Sequence, residues 1–182
     1  MTVVIRPVED ADVRAVGALH HRSRADAYAH LIPPETFAAR GPEAMSAWWE
    51  ERWKWERESH RMTVADDDGE LAGFTYVGPS ETPGAAELYA IHVAPERVGT
   101  GVGRQLMVHA LTDLAGFDAE RAVLWVLADN PVARRFYERG GWVPDGATRT
   151  APVNDQEFLQ LRYEHDLEVT ERLPRWGAAD VP

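Results

Sequence analysis

The chain has 182 residues, with 30 acidic against 19 basic side chains and a net charge of −11. That length fits one domain with a real core, and 45% hydrophobic with 27% charged residues is a folded rather than a disordered composition. The acid excess argues against a nucleic-acid or anionic-membrane binder, and the lack of any Cys excludes disulfides, thiolate zinc sites and a cysteine nucleophile.

Lys54 is the only lysine, so Schiff-base and Walker-lysine mechanisms are nearly excluded. Met1 to Pro7 lacks the apolar stretch of a secretory signal, and no apolar run approaches the roughly 20 residues of a membrane helix. The expected location is cytoplasmic. In chain order, Val3 to Ile5 reads as a short strand. Asp10 is positioned to cap a helix from Ala11, with Val13, Val16 and Leu19 at helical spacing and Tyr28 at its far end. Pro33-Pro34 breaks the chain and opens a short helix holding Phe37.

Glu43 to Glu58 reads as an amphipathic helix carrying Trp48, Trp49, Trp53 and Trp55. Its plain reading is a helix burying aromatics against a sheet. Its functional reading is an aromatic wall with Glu50, Glu51, Glu56 and Glu58 beside it, suited to a cationic or apolar amine. Arg61 to Ala65 and Leu71 to Val77 read as strands around an Asp67-Asp68-Gly69-Glu70 turn. Glu87 to Val93 is a further strand and Gly101 to Gly116 a helix. Ala122 to Leu127 is a strand apolar enough to be buried on both faces. Asn130 to Arg139 is a helix, and Trp142-Val143 and Phe158 to Tyr163 are strands. The order predicts one α/β (α+β) domain over 1–167 with a mixed sheet. Residues 168–182 read as a loose extension.

The most informative stretch is Val93 to Arg104, where a strand ends, glycines stand at 99, 101 and 103, and a helix begins. Glycines let backbone N–H groups approach a ligand, and a helix N-terminus adds free donors and partial positive charge. Arg104 and Leu106 stand where a dinucleotide fingerprint needs its third glycine, and Gly103-Arg104-Gln105 is not a Walker ending. A histidine pair at 20 and 21 has no metal-ligand spacing.

The turn resembles the acetyl-CoA pyrophosphate loop of the GNAT superfamily of N-acetyltransferases, Gln/Arg-x-x-Gly-x-Gly/Ala. Gly101 and Gly103 match, Val98 stands at the Gln/Arg position, and Arg97 falls one residue early. Downstream, Asn130, Ala133, Tyr137, Glu138 and Gly141, with Trp142 in place of the Phe, resemble the family's Asn-x-x-Ala-x-x-x-Tyr-Glu-x-x-Gly-Phe motif. Asn130 and Pro131 also have a local meaning as helix cap and first helical residue. The resemblance covers about Val3 to Leu167.

The resemblance implies a mostly antiparallel sheet of six to seven strands, splayed at the cofactor site and flanked by helices. It implies transfer of an acetyl group from acetyl-CoA to a primary amine by direct attack, without metal, the acceptor being a small molecule. A protein N-terminus or lysine is the alternative acceptor, and a CoA-binding module without turnover is the non-enzymatic alternative. It also admits a homodimer. By match to the family, the backbone of Ile91, His92 and Val93 binds the pantetheine arm, and the Ile91 N–H faces the acetyl oxygen. Val98, Gly99, Thr100, Gly101, Val102, Gly103 and Arg104 form the phosphate loop, with Asn130 and Ala133 nearby. Tyr137 matches the acid that protonates the leaving thiolate. The base is Glu87, His92 or a water. In a regular strand Glu87 and Ile91 share a face and His92 takes the other; a bulge alters that. Tyr28, Trp48 and Trp49 are the acceptor-pocket candidates.

Overall fold

A computed structural model of the chain describes residues 3–38, 41–153 and 156–167, and the expected extension 168–182 lies outside them. The strands are β1 (Val4–Pro7), β2 (Arg61–Asp67), β3 (Glu70–Pro79), β4 (Ala85–Val93), β5 (Arg121–Leu127), β6 (Val143–Val153) and β7 (Gln156–Asp166). They form one sheet ordered β1-β2-β3-β4-β5-β7-β6. Every pairing is antiparallel except β4 with β5. A parallel pair needs a crossover, which α4 (Val102–Ala115) supplies. Helices α1 (Val13–Ala27), α2 (Pro34–Ala38) and α3 (Pro42–Glu56) separate β1 from β2, and α5 (Pro131–Arg139) follows β5. The element order and the mostly antiparallel mixed sheet are those expected.

Two local expectations are corrected. Asp10 does not cap the first helix. Residues Asp10–Asp12 form a single 3-10 turn, and Asp12 Oδ2 accepts the Glu9 N–H at 2.8 Å. Asp10 instead accepts from Trp53 Nε1 at 3.2 Å and pairs with Arg57. Second, β6 runs eleven residues rather than the expected two. It is an edge strand, largely exposed, and it contains Pro144, Gly146 and Pro152. Edge strands tolerate proline and need no apolar alternation, so nothing in its composition announces it.

The core lies on both faces of the sheet. On one face Met107, Leu111 and Leu114 of α4 pack with Val77, Leu88, Leu124 and Tyr163. On the other, Val13, Val16 and Leu19 of α1 and Trp49 of α3 pack with Phe74 and Tyr76. Helices α1 and α3 meet closely. A Cβ at Gly17 would stand 2.3 Å from Ser46 Cα, and Ser46 Oγ donates to the Arg14 carbonyl at 2.8 Å. This contact sets the rotation of α3. Trp49 points inward and is 1% exposed, whereas Trp48 is 47% exposed.

The central feature is the β4–β5 pair. It is hydrogen-bonded in register only from Ala85–Glu87 to Arg121–Val123. Beyond that the strands part. A bulge accompanies the parting: Tyr76 pairs with Ala90 and Val77 with Leu88, leaving Tyr89 without a register partner on β3. The extra residue reverses the face of everything after it. Leu88 and Ile91 therefore both pack toward α4 despite their odd spacing. Glu87 shares the α1–α3 face with His92, not a face with Ile91, which corrects the regular-strand expectation.

Gly17→Val forces α3 away from α1. The expected loss is about 1–3 kcal/mol of stability, the usual cost of overpacking, measured by urea melts. Unchanged stability would contradict the close contact.

Candidate active site

The parted strands enclose a cleft of about 210 Å³. Ile91, His92 and Val93 form one wall, Trp125, Val126 and Leu127 the other, and Tyr28, Val98, Asn130, Ala133 and Tyr137 also line it. Val93 packs toward α4, while His92 stacks on Phe74 on the opposite face. The cleft thus passes through the sheet from one helical layer to the other.

Beyond Glu87 the β4 wall turns backbone groups toward β5 without pairing to it. The Ala94 N–H donates to the Ala72 carbonyl, so His92 also turns its backbone to β3, and Ile91 and Val93 turn theirs toward β5. There β5 no longer pairs with β4. Gly99 and Gly101 have φ of +82° and +89°, with no atom within 4 Å of where a Cβ would sit. Gly101 caps α4, and its carbonyl accepts from Gln105. The N–H groups of Val102 and Gly103 thus stand in the first turn of the helix, where intrahelical acceptors are lacking. Thr100 donates its hydroxyl to the Arg97 carbonyl at 2.7 Å. Arg97 itself is bound to buried Asp67 at the end of β2, so it clamps the loop to the β2–β3 hairpin. Val98 is 63% exposed and borders the cleft as an aliphatic side chain.

On α5, Asn130 accepts the Ala133 N–H at 3.1 Å while also lining the cleft. It is both cap and wall. One helical face then carries Ala133 and Tyr137 inward. Burial raises the Tyr137 pKa above the usual phenol range, and the Tyr28 hydroxyl adds to the effect. Burial raises Tyr28 likewise.

His92 Nδ1 lies 3.0 Å from Ser23 Oγ on α1, and its ring centroid is 4.3 Å from that of His20. His20 Nδ1 accepts from Trp49 Nε1 at 2.9 Å. Burial lowers both imidazoles, His92 to about 3, so both are neutral at physiological pH. Glu87 does not line the cleft. Its Oε2 accepts from Ser80 Oγ at 2.9 Å, and burial raises its pKa.

A second cavity, of about 450 Å³, opens beside α1 and α3. Trp48 lines it, together with His20, His21, Arg24, Phe37, Ala44, Met45 and Pro152. Trp49 lines neither cavity and belongs to the core, so its expected place at the acceptor is corrected. The acids of α3 are also spent elsewhere. Glu43 and Glu50 pair with Arg14, Glu51 accepts from Trp55 Nε1, and Glu56 binds Arg52 and Tyr76. Among the described residues, no carboxylate lines the second cavity.

Sequence reasoning missed Ser23, Asp26 and Ala27, which line the cleft beside Tyr28. Their spacing on one face of α1 was the available signal. It also missed Trp125 and Gln160, for which strand alternation offered none.

A family model described as "Acetyltransferase (GNAT) family" matches residues 25–142. The chain belongs to the GNAT acetyltransferase family. It is 38% identical over 85 residues to a mycothiol acetyltransferase of Acidimicrobium ferrooxidans, a match covering 45% of the chain and 27% of that longer protein. The chain thus spans about a quarter of the length of that relative. It is 27% identical over 132 residues to an uncharacterised N-acetyltransferase, YuaI, of Bacillus subtilis, covering 71% and 74% of the two chains. The PaiA N-acetyltransferase of Thermoplasma acidophilum, solved with coenzyme A, has the same fold, with a TM-score of 0.69 and 18% identity over 91% of this chain and 99% of that one. The GNAT fold therefore puts the motif residues around the through-sheet cleft. The open cradle at Gly99 and Gly101 fits a pyrophosphate, which needs close backbone approach and no lysine.

His20, His60 and His92 are each held below the usual imidazole pKa, burial being the largest cause. Below about pH 6.5 the unfolded chain binds protons that the folded chain refuses, so stability falls as pH falls. A loss on the order of 2 kcal/mol is expected between pH 7 and pH 5 for each ring that stays neutral, read by urea melts, and His92→Gln should remove one such share. A constant midpoint over that interval would contradict the burial of these rings.

Proposed function

We propose that the protein transfers the acetyl group of acetyl-CoA to a primary amine of a small molecule. The carrying observation is the cleft between β4 and β5, where backbone donors lie open beside a glycine-capped helix N-terminus. Acetyl-CoA, when bound, supplies the activated acetyl thioester and the sulfur leaving group. Gly99 to Arg104 would hold its pyrophosphate, and the Ile91 and Val93 backbone its pantetheine arm.

The Ile91 N–H is the donor for the developing carbonyl oxyanion. A preorganised backbone donor in the cleft serves this task without reorganising. Tyr137 keeps its proton at neutral pH because burial raises its pKa, and its hydroxyl can give that proton to the departing sulfur. The incoming ammonium must lose a proton before attack. Glu87 serves as the far end of that path through water, since it stands on the acceptor face without lining the cleft. The lowered basicity of His92 suits a neutral, structural imidazole. Two small concave cavities, of about 210 and 450 Å³, favour a compact acceptor over a protein segment.

Millimolar acetyl-CoA should raise the melting temperature, and Gly101→Glu should abolish the shift by filling the cradle and straining a left-handed position. Tyr137→Phe should lower kcat by roughly 100-fold, the usual scale of acid catalysis, with little change in cofactor affinity. An unchanged kcat would remove Tyr137 from the role of acid.

A further inference from the structure

We propose that the cavity beside α1 and α3 takes an acceptor that carries its own carboxylate: an α-amino acid, or a close analogue, with a large apolar side chain. The proposal deepens the acetyltransferase reading and rests on it.

The cavity is walled by Phe37, Met45 and Trp48, with His20 and His21 at its α1 side. His20 is neutral, its Nδ1 already accepting from Trp49. His21 Nε2 lies 3.1 Å from the Phe37 carbonyl and so ties α1 to α2. Among the described residues, the one permanent charge lining this space is Arg24. No carboxylate or carbonyl among the described residues pairs with its guanidinium, whose recorded neighbour is the Tyr28 ring at 5.9 Å.

That isolation sets Arg24 apart from arginines elsewhere in the chain. Arg6 binds Asp12 and Asp66, Arg52 binds Glu56, Arg97 binds Asp67 and Arg162 binds Asp145. A part-buried guanidinium that no described residue pairs with is costly, and desolvation accordingly lowers its pKa. The natural complement of that planar fork is a carboxylate, held through two parallel hydrogen bonds.

The position suits an acceptor. Arg24 follows Ser23, whose hydroxyl is bonded to His92, and His92 follows Ile91. The Arg24 charge also contributes to the lowered basicity of His92. A carboxylate anchored there holds the amino nitrogen of the same small molecule on the β4 side, with its side chain against Trp48, Phe37 and Met45. A zwitterion also meets the electrostatics. The net charge of −11 repels a pure anion, whereas an ammonium on the same molecule offsets that repulsion.

The test is a panel of matched pairs: phenylalanine with phenethylamine, tryptophan with tryptamine, leucine with isopentylamine, and spermidine as a polyamine. Thiol release from acetyl-CoA and product mass report turnover; melting temperature reports binding. We expect kcat/KM about tenfold or more higher for the carboxylate-bearing member of each pair, the scale of a charged hydrogen bond. Arg24→Gln should collapse that ratio mainly through KM, and Arg24→Lys should restore part of it. The preferred amino acid should raise the melting temperature of the wild type and not of Arg24→Gln. Preference for spermidine or the decarboxylated amines overturns the carboxylate anchor while leaving acetyl transfer standing. So does an unchanged ratio in Arg24→Gln, or acetyl-CoA binding with no amino acid bound or turned over. No thiol release with any amine and no thermal shift with acetyl-CoA overturns the acetyltransferase reading itself.

Discussion

Strands β4 and β5 stop hydrogen-bonding after three residues, and the site depends on that interruption. Each strand is secured on its other side, β4 by β3 and β5 by β7. Helix α4 packs on β2, β3 and β4, so the sheet cannot simply slide shut. The bulge at Tyr89 turns β4 at the point where pairing ends, as bulges commonly do beside functional sites. The result is an unpaired backbone edge inside the domain, normally avoided because buried N–H and C=O groups need partners. A ligand that pairs with that edge as a strand would, such as a pantetheine amide, repairs the deficit.

The glycine turn and the α5 face, proposed as the cofactor end, were legible in the sequence as local structure because their signals are local. Glycines at 99 and 101 occupy left-handed positions, Asn130 caps α5, and spacing along one helix turn carries Ala133 and Tyr137 to the cleft. The acceptor end was not legible. The face on which Glu87 stands depends on one extra residue in β4, and nothing in the run from Glu87 to Val93 marks Tyr89 as that residue. The inward turn of Trp49 follows from the contact of Gly17 with Ser46, two residues far apart in the chain. The length of β6 was hidden because an exposed edge strand needs no hydrophobic pattern.

Electrostatics changed sign between sequence and structure. The acids of α3 suggested a negative acceptor site, but they are consumed by Arg14, Arg52 and the Trp55 indole. Among the described residues, what lines the cavity is a single guanidinium with two histidines and apolar walls. Surplus acid is therefore a property of the surface, and the two places proposed to receive anionic groups are local exceptions. One is the amino end of α4, built from backbone. The other is Arg24, a side chain that finds no acid partner among the described residues.

The central claim is that the gap between β4 and β5 holds coenzyme A through backbone amides. Titrating coenzyme A into ¹⁵N-labelled protein and following amide chemical shifts tests it most directly. The account predicts that the largest shifts fall on Ile91, Val93 and Gly99 to Arg104. Shifts confined to other regions, with these amides unmoved at saturation, would contradict it.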